Sequence, residues 1–401
     1  MCKRGLRGWT KESLDMRLRR YLLTALAVLL AGCSFGPKHL QDGHLAYNEA
    51  VRASSDKELL LNIVRIRYLD TIEFLSVNSI SAQLSFSVAV GGRAGTEFNE
   101  TTAIGFGDVA WSNRPTFTFT PQRGADFASK MITPVPMPIL IELAAADWHA
   151  EVLFRLLVQN VNGLANMAGL VDDDFLEVTR LLAGLQNKGD LYFGAIEDHV
   201  MLSDPIAAFQ VSGSDLVEAA KQGYRFERDS SGKNFVLTDI QTQPVLHVPR
   251  GEAESARLFE LLRLRTPKGT YVELFAGTKP EDITGASDRI AIDTRSVLDT
   301  IAFLAGGVEV PSSHLDNGWT WRDWPIPGIE NKGLPGLIRI RSSANRPKDL
   351  LAVRHRDHWF YLADDDAESR MTFLLLAEIL RMALSPGEGQ SPVLTLPVGG
   401  R

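Results

Sequence analysis

Apolar and polar positions along this chain repeat with two different periods. From 47 to 68, Leu59, Leu60, Ile63, Val64 and Ile66 recur at helical spacing among Asp56, Lys57, Glu58 and Arg65, which predicts a docked amphipathic helix. From Gln83 to Val90 the period falls to two, with Leu84, Phe86, Val88 and Val90 on one face of a strand and Gln83, Ser85, Ser87 and Ala89 on the other. Gly91-Gly92 interrupts that run. The alternation returns at Thr116-Phe117-Thr118-Phe119-Thr120, after a short strand around Ile104 and Phe106, so an antiparallel hairpin or meander is expected.

No charge occurs from Phe74 to Gly92. Two environments fit such a run: a sheet face packed on a soluble core, or a lipid-facing strand in an assembled barrel. A membrane strand needs ~9 to 11 residues, which the run supplies, but a single hairpin cannot close its own edges in lipid. The membrane reading therefore requires a ring of subunits, with Leu84, Phe86, Val88, Val90, Phe117 and Phe119 on the membrane or sheet face.

Further along, Pro134, Pro136 and Pro138 break the chain before a helical period from Ile139 to Val158. Asp172-Asp173-Asp174 supplies a cap and negative charge to a helix over 175–185. Strands are expected at 191–196, 235–237 and 270–275, and helices at 214–220, 254–264 and 293–305. Paired strands at 350–356 and 359–362 flank Asp357-His358, before a strongly apolar helix at 371–384 that should be nearly enclosed and a last strand at Pro392 to Pro397. Ile63-Val64-Arg65-Ile66-Arg67 before Glu73-Phe74-Leu75 echoes Leu261-Leu262-Arg263-Leu264-Arg265 before Glu273-Leu274-Phe275, which points to a distant internal α/β duplication. The fold class is α+β, with mixed helices and a mostly antiparallel sheet.

The N-terminus carries a different signal. Met16 to Arg20 is basic, Tyr21 to Ala31 is apolar and too short to span a bilayer, and Leu29-Leu-Ala-Gly-Cys33 resembles the lipobox of bacterial lipoproteins. This implies a signal peptide over 1–32, read from Met1 or from Met16, and lipidation of Cys33. Acyl chains at that cysteine make membrane lipid the first partner, since durable attachment takes more than one chain. Ser34, in place of the aspartate of inner-membrane lipoproteins, implies the outer membrane with the body in the periplasm. An acylated N-terminus and tether over 33–46 would lead to an N-terminal region over 47–189 and a mixed α/β region over 190–401.

Charge and composition narrow the chemistry. Of 42 basic and 49 acidic side chains, seven basic and two acidic ones fall within the first 32 residues, leaving 35 and 47 and a body at −12. An acidic body argues against nucleic acid as a partner. The 401 residues are 45% hydrophobic and 23% charged, a globular balance. Removal of the leader takes Cys2, and the remaining cysteine is the acylated one, so neither a disulfide nor a catalytic thiol is expected.

No nucleophile elbow, phosphate loop, zinc-protease helix or dinucleotide glycine fingerprint occurs. His355 and His358 straddle a turn without a third ligand in sequence, and no metal or cofactor is expected. His149 and His199 stand near carboxylates and are read as surface or helix-end electrostatics. Trp319, Trp321 and Trp324 cluster among Pro325, Pro327-Gly328, Gly333 and Pro335, marking a structured loop that could bind a partner.

Taken together, Glu58 to Tyr68, Arg114 to Pro121, Trp359 to Asp364 and Pro392 to Val398 resemble a family of uncharacterised bacterial lipoproteins over most of the mature chain. The resemblance implies location and a shared fold, and transfers no activity or catalytic residue. The leading expectation is an outer-membrane lipoprotein with a structural or assembly role, partnered by an envelope protein or by its own copies. The alternatives are a ring-forming export pore and an envelope hydrolase. Cys33→Ala is expected to move the protein from the membrane to the soluble fraction with its circular dichroism unchanged; an unaltered membrane distribution would count against lipid-dependent placement.

Overall fold

The computed structural model describes residues 35–97, 100–265, 271–279, 287–329 and 331–384, with their side chains except 35–44, 76–117 and 384. Residues 1–32, read as a signal peptide, Cys33 and the expected strand at Pro392 to Pro397 lie outside the described residues. The chain divides into two units, 1–57 and 58–401. In the first, the described part is the beginning of helix α1 (Phe35–Arg67), where Arg52 pairs with Glu49 and Asp56. The stretch read as a tether is thus helical from Phe35, and Pro37 falls in the first turn, where the N–H it lacks has no intrahelical partner.

In the second unit α1 ends with Leu59, Leu60, Ile63 and Val64 buried, the face its spacing predicts. Strands β1 (Leu75–Glu97) and β2 (Glu100–Pro121) follow and form a two-stranded antiparallel sheet of their own. Next come α2 (Ala125–Ile132), α3 (Met137–Ala145) and α4 (Ala150–Leu157). The single helix expected from Ile139 to Val158 is therefore two. Ala146 N closes the first on Glu142 O, and Asp147 takes a left-handed φ of 62°, a conformation aspartate tolerates better than most residues.

Strands β3 (Val158–Val161), β4 (Leu164–Met167) and β5 (Leu170–Val171) precede α5 (Asp173–Lys188). Asp172 is the N-cap residue of α5, but its carboxylate accepts from Ala165 N at 2.7 Å and leaves the negative charge of the first turn to Asp173 and Asp174. Beyond α5 lie β6 (Tyr192–Met201), β7 (Ile206–Ala207), α6 (Gly213–Lys221), β8 (Tyr224–Arg228) and β9 (Asn234–His247). They lead to α7 (Ala253–Leu261), β10 (Tyr271–Ala276) and β11 (Arg289–Thr294). Asp293, expected to begin a helix, belongs to β11; helix α8 (Val297–Leu304) starts only after Ser296, whose hydroxyl and backbone N–H share a capping box with Asp299.

Nine described strands form one sheet in the order β5-β4-β3-β11-β10-β9-β6, with β7 and β8 also paired to β9. The sheet is mostly antiparallel, β10 and β11 running parallel. The fold is α+β. After α9 (Ser312–Asp316), β12 (Arg341–Ser343), β13 (Ala352–His355) and β14 (His358–Tyr361) make a three-stranded antiparallel sheet, the last two joined at Arg356-Asp357, one residue before the expected break at Asp357-His358, because His358 pairs with His355. The final helix α10 (Ala367–Leu384) buries Phe373, Leu375, Leu376 and Ile379 while Met371, Leu374 and Met382 are exposed. It is one-faced, not enclosed, because it packs on α2, α4 and α8 along one side.

Arg295, between β11 and α8, is 2% exposed and sits at the centre of the body. Its guanidinium donates to the carbonyls of Arg155, Leu156 and Asn166 and lies 3.9 Å from the centre of the Phe303 ring. Burial draws its pKa down to about 9. Nearby, the segment after α8 is pressed against the chain entering β12: Ile340 N donates to Gly307 O at 2.9 Å, and a Cβ on Gly307 would stand 2.6 Å from Ile338 Cγ2 and 2.8 Å from the Ile338 carbonyl oxygen. A backbone oxygen cannot swing aside, so Gly307→Ala should cost about 1–3 kcal/mol of stability, read as a lowered urea midpoint with an unchanged slope.

Candidate functional site

The ribbon β1–β2 is the feature the rest of the body does not use. Its strands pair at 22 positions, from Leu75 opposite Pro121 to Glu97 opposite Glu100, with one irregularity between Val77 and Ser79. The register carries the pairing through Gly91 and Gly92, opposite Phe106 and Gly105, where the sequence reading places an interruption. Residues directly opposite each other in an antiparallel pair share a face. Positions Leu84, Phe86, Val88 and Val90 therefore share one with Asn113, Trp111, Val109 and Gly107, and Phe117 joins it opposite Ile80. The other face holds Ser79, Ser81, Gln83, Ser85 and Ser87 opposite Thr118, Thr116, Arg114, Ser112 and Ala110. The side chains of 76–117 are outside the described ones; Phe119, opposite Val77, is half-exposed.

The root of the ribbon is tied to α1. Glu58 accepts from Leu75 N at 2.9 Å, and burial raises the pKa of its carboxyl above the ordinary value. Asn62, fully buried, donates to Glu73 O at 2.6 Å and accepts from Glu73 N at 3.3 Å, using its amide as a third strand would use a peptide group. On the returning strand, Gln122 N donates to Phe74 O at 2.8 Å and Arg123 Nε reaches Glu73 at 2.8 Å.

Just past α1 lies a knot of buried polar groups. Burial pushes the Tyr68 phenol well above its ordinary pKa, so it keeps its proton, and its hydroxyl shares a hydrogen bond with His314 Nδ1 at 2.6 Å. His355 and Phe360 meet the Tyr68 ring edge-on at 5.0 and 5.8 Å, and the His358 ring stands 4.6 Å from that of His314. Asp70 holds Arg356 at 3.0 Å and lies 3.0 Å from His355 Nε2, without the alignment of a hydrogen bond. The pKa of His314 is lowered by burial, then by His358, Arg356 and His355; that of His355 is lowered by burial, against the opposing pull of Asp70, and further by Arg356 and Arg65.

The tryptophan loop is held from inside. Arg67 donates to Thr320 Oγ1 at 2.7 Å and Arg322 O at 3.0 Å, and Arg155 donates to Gly333 O and Pro335 O at 2.9 and 2.6 Å. Trp324 is buried and gives its indole N–H to Ala302 O, while Trp319 and Trp321 stay partly exposed at 37% and 44%. Beside it opens a cleft of about 480 Å³ that sets Arg322 and Arg339 among Asp323, Asp366 and Glu368 over Trp324 and Leu337.

Among the described residues no group of three or more His, Cys, Asp or Glu side chains could hold a metal ion, and no helix is long and apolar enough to cross a membrane. His355 and His358 do meet a third histidine, His314, but through Tyr68 and ring contacts. His149 stands at the start of α4, and His199 Nδ1 contacts Glu227 at 2.8 Å. His314, Tyr68 and Asp70 had no signal in the sequence, since Tyr68 and His314 are 246 positions apart. No family model matches this chain, and neither a curated protein nor a solved structure matches it.

Asn62→Ala would strip both backbone groups of Glu73 of their partner in a buried setting. It is expected to lower stability by about 1–3 kcal/mol, measured by urea denaturation, and to increase hydrogen exchange at the Glu73 amide; Asn62→Asp should keep the acceptor and lose the donor.

Proposed function

We propose that the chain is one subunit of a ring-forming pore of the outer membrane, held to lipid through an acylated Cys33, with β1–β2 as its contribution to the barrel wall. The observation that carries this reading is the ribbon: 22 paired positions with an apolar face and a hydroxyl-rich face, belonging to neither of the other sheets. At about 3.3 Å per residue each strand is roughly 70 Å long, about twice the ~9 to 11 residues that a tilted membrane strand uses. The uncharged run from Phe74 to Gly92 supplies such a span.

A two-stranded ribbon leaves the outward N–H and C=O groups of both strands unpaired, each costing several kcal/mol in hydrocarbon. Copies of the same ribbon set edge to edge remove that cost, and closure into a ring removes the last edges. The apolar face then meets lipid and the hydroxyl-rich face meets water. The α+β body stands in the periplasm as a scaffold without catalysis of its own. The echo between 63–75 and 261–275 is attributed to one duplicated unit on the sequence alone, although Arg65 lies within α1 and its counterpart Arg263 lies past the end of α7.

A second reading, a lipid-tethered assembly component that recognises another envelope protein, is favoured by the partial exposure of Trp319 and Trp321.

Purified acylated protein should conduct in planar bilayers. Val88→Arg, on the apolar face, carries a penalty of about 2–4 kcal/mol at the bilayer midplane in every subunit and is expected to abolish conductance. Ser87→Arg, on the opposite face, should leave the channel conducting with altered ion preference. A silent wild-type protein, or equal effects of the two substitutions, would defeat the pore reading.

A further inference from the structure

The cleft beside the tryptophan loop is walled by three pieces of chain: the loop itself, the segment 334–339 entering β12, and the first turn of α10. Its volume of about 480 Å³ suits a ligand the size of a short peptide. The floor is apolar and already built. Trp324 is buried, with its indole N–H spent on Ala302 O at 2.8 Å. Leu334 packs on bare backbone, since a Cβ on Gly306 would stand 2.5 Å from Leu334 Cδ1 and 3.3 Å from Trp324 Cδ1. Ile329, an exposed apolar side chain, adds to the same lining.

The charged groups around that floor are not equivalent. Asp366 spends both carboxylate oxygens on Ser369, accepting from its backbone N at 3.0 Å and from its Oγ at 2.8 Å. Asp323 accepts from Gly328 N at 3.1 Å and answers the positive charge of Arg67. Arg339 stands 3.9 Å from Glu309 in a loose, exposed pair. The side chains of Arg322 and Glu368 line the same cleft and make no hydrogen bond or ion pair among the described residues, with each other or with any other group. Asn331 is only 9% exposed; its Oδ1 accepts from Gly333 N at 3.1 Å, and its Nδ2 has no partner, which is rare for a buried donor.

We propose that this cleft binds a short, free, zwitterionic peptide with apolar side chains: Arg322 takes its carboxylate, Glu368 its ammonium group, the Trp324 and Leu334 floor its side chains, and Asn331 Nδ2 a backbone carbonyl. A simple anion would meet Glu368, Asp323 and Asp366, and a simple cation would meet Arg322 and Arg339. A ligand with one charge at each end satisfies both walls in a single orientation and is repelled in the reverse one. Low-dielectric walls strengthen that discrimination relative to an open surface. A single amino acid has no carbonyl between its two charged groups to give Asn331, and the terminus of a protein chain carries only one of the two charges. The ribbon takes no part in this site, so the outcome below is independent of whether the chain forms a pore.

The test is isothermal titration calorimetry on the full acylated chain in detergent micelles, with leucyl-leucine as the probe beside its N-acetyl and C-terminal amide derivatives. Leucyl-leucine is expected to bind saturably, and each blocked form, having lost one charged end, about tenfold more weakly or worse. In Arg322→Gln the free and amidated dipeptides should bind equally, because the partner of the carboxylate is gone. In Glu368→Gln the free and acetylated dipeptides should bind equally for the matching reason. Asn331→Asp keeps the acceptor for Gly333 N and replaces the unpaired donor with an oxygen, so it should weaken all three ligands. No saturable heat from leucyl-leucine up to about 10 mM, a blocked form that binds the parent chain as tightly as the free dipeptide, or unchanged affinity ratios in the two charge variants overturns the site. If Asn331→Asp fails to fold, Arg322→Gln and Glu368→Gln decide, since neither side chain is tied to another part of the described fold.

Discussion

A β-ribbon of two strands has two open edges, and no arrangement of its own side chains can close them. Residues 75–121 spend most of their length in such a ribbon, while the other described strands find partners in a nine-stranded or a three-stranded sheet. In water the unpaired backbone is solvated and inexpensive. In hydrocarbon it is not, and the only remedy is another ribbon on either side. The function proposed for the chain follows from that backbone constraint more than from any individual side chain.

The body solves the reverse problem of holding irregular chain without a sheet to hold it. Arg67, Arg155 and Arg295 are all buried, and each gives N–H groups to carbonyl oxygens, with the Thr320 hydroxyl a further acceptor for Arg67 and the Glu151 carboxylate for Arg155. Together they bind the tryptophan loop and the segments around β4 and α8 to the helices. A guanidinium suits this use because its charge is delocalised and its donors are fixed in a plane, so several carbonyls can share one cation at a modest desolvation cost. The same loop supplies Trp319 to the histidine knot, which links the loop scaffold to the root of the ribbon.

Much of the secondary structure was legible because the relevant physics is local. The period-two alternation of 83–90 and 116–120 lies in paired strands, and the apolar spacing of Leu59 to Val64 is a buried helix face. The turn between β13 and β14 falls at Arg356-Asp357, one residue before the polar break at Asp357-His358. Strand β11 was hidden because Arg289-Ile-Ala-Ile-Asp-Thr294 runs straight into an apolar helix, and only Ser296 with Asp299 marks the boundary between them. The continuation of the ribbon through Gly91-Gly92 was hidden because glycine weakens a strand without forbidding it once a partner is in register.

From the sequence alone came the α+β class, the lipobox-like N-terminus, the hairpin and its apolar face, all of which depend on neighbours within a few residues. Only the tertiary structure decided that the hairpin stands apart from the main sheet, that Asn62 and Glu58 fasten its root, and that His314 meets Tyr68 across 246 positions. Such contacts are set by how elements pack and by which buried polar groups then need partners, and nothing in the local period of a chain encodes that requirement.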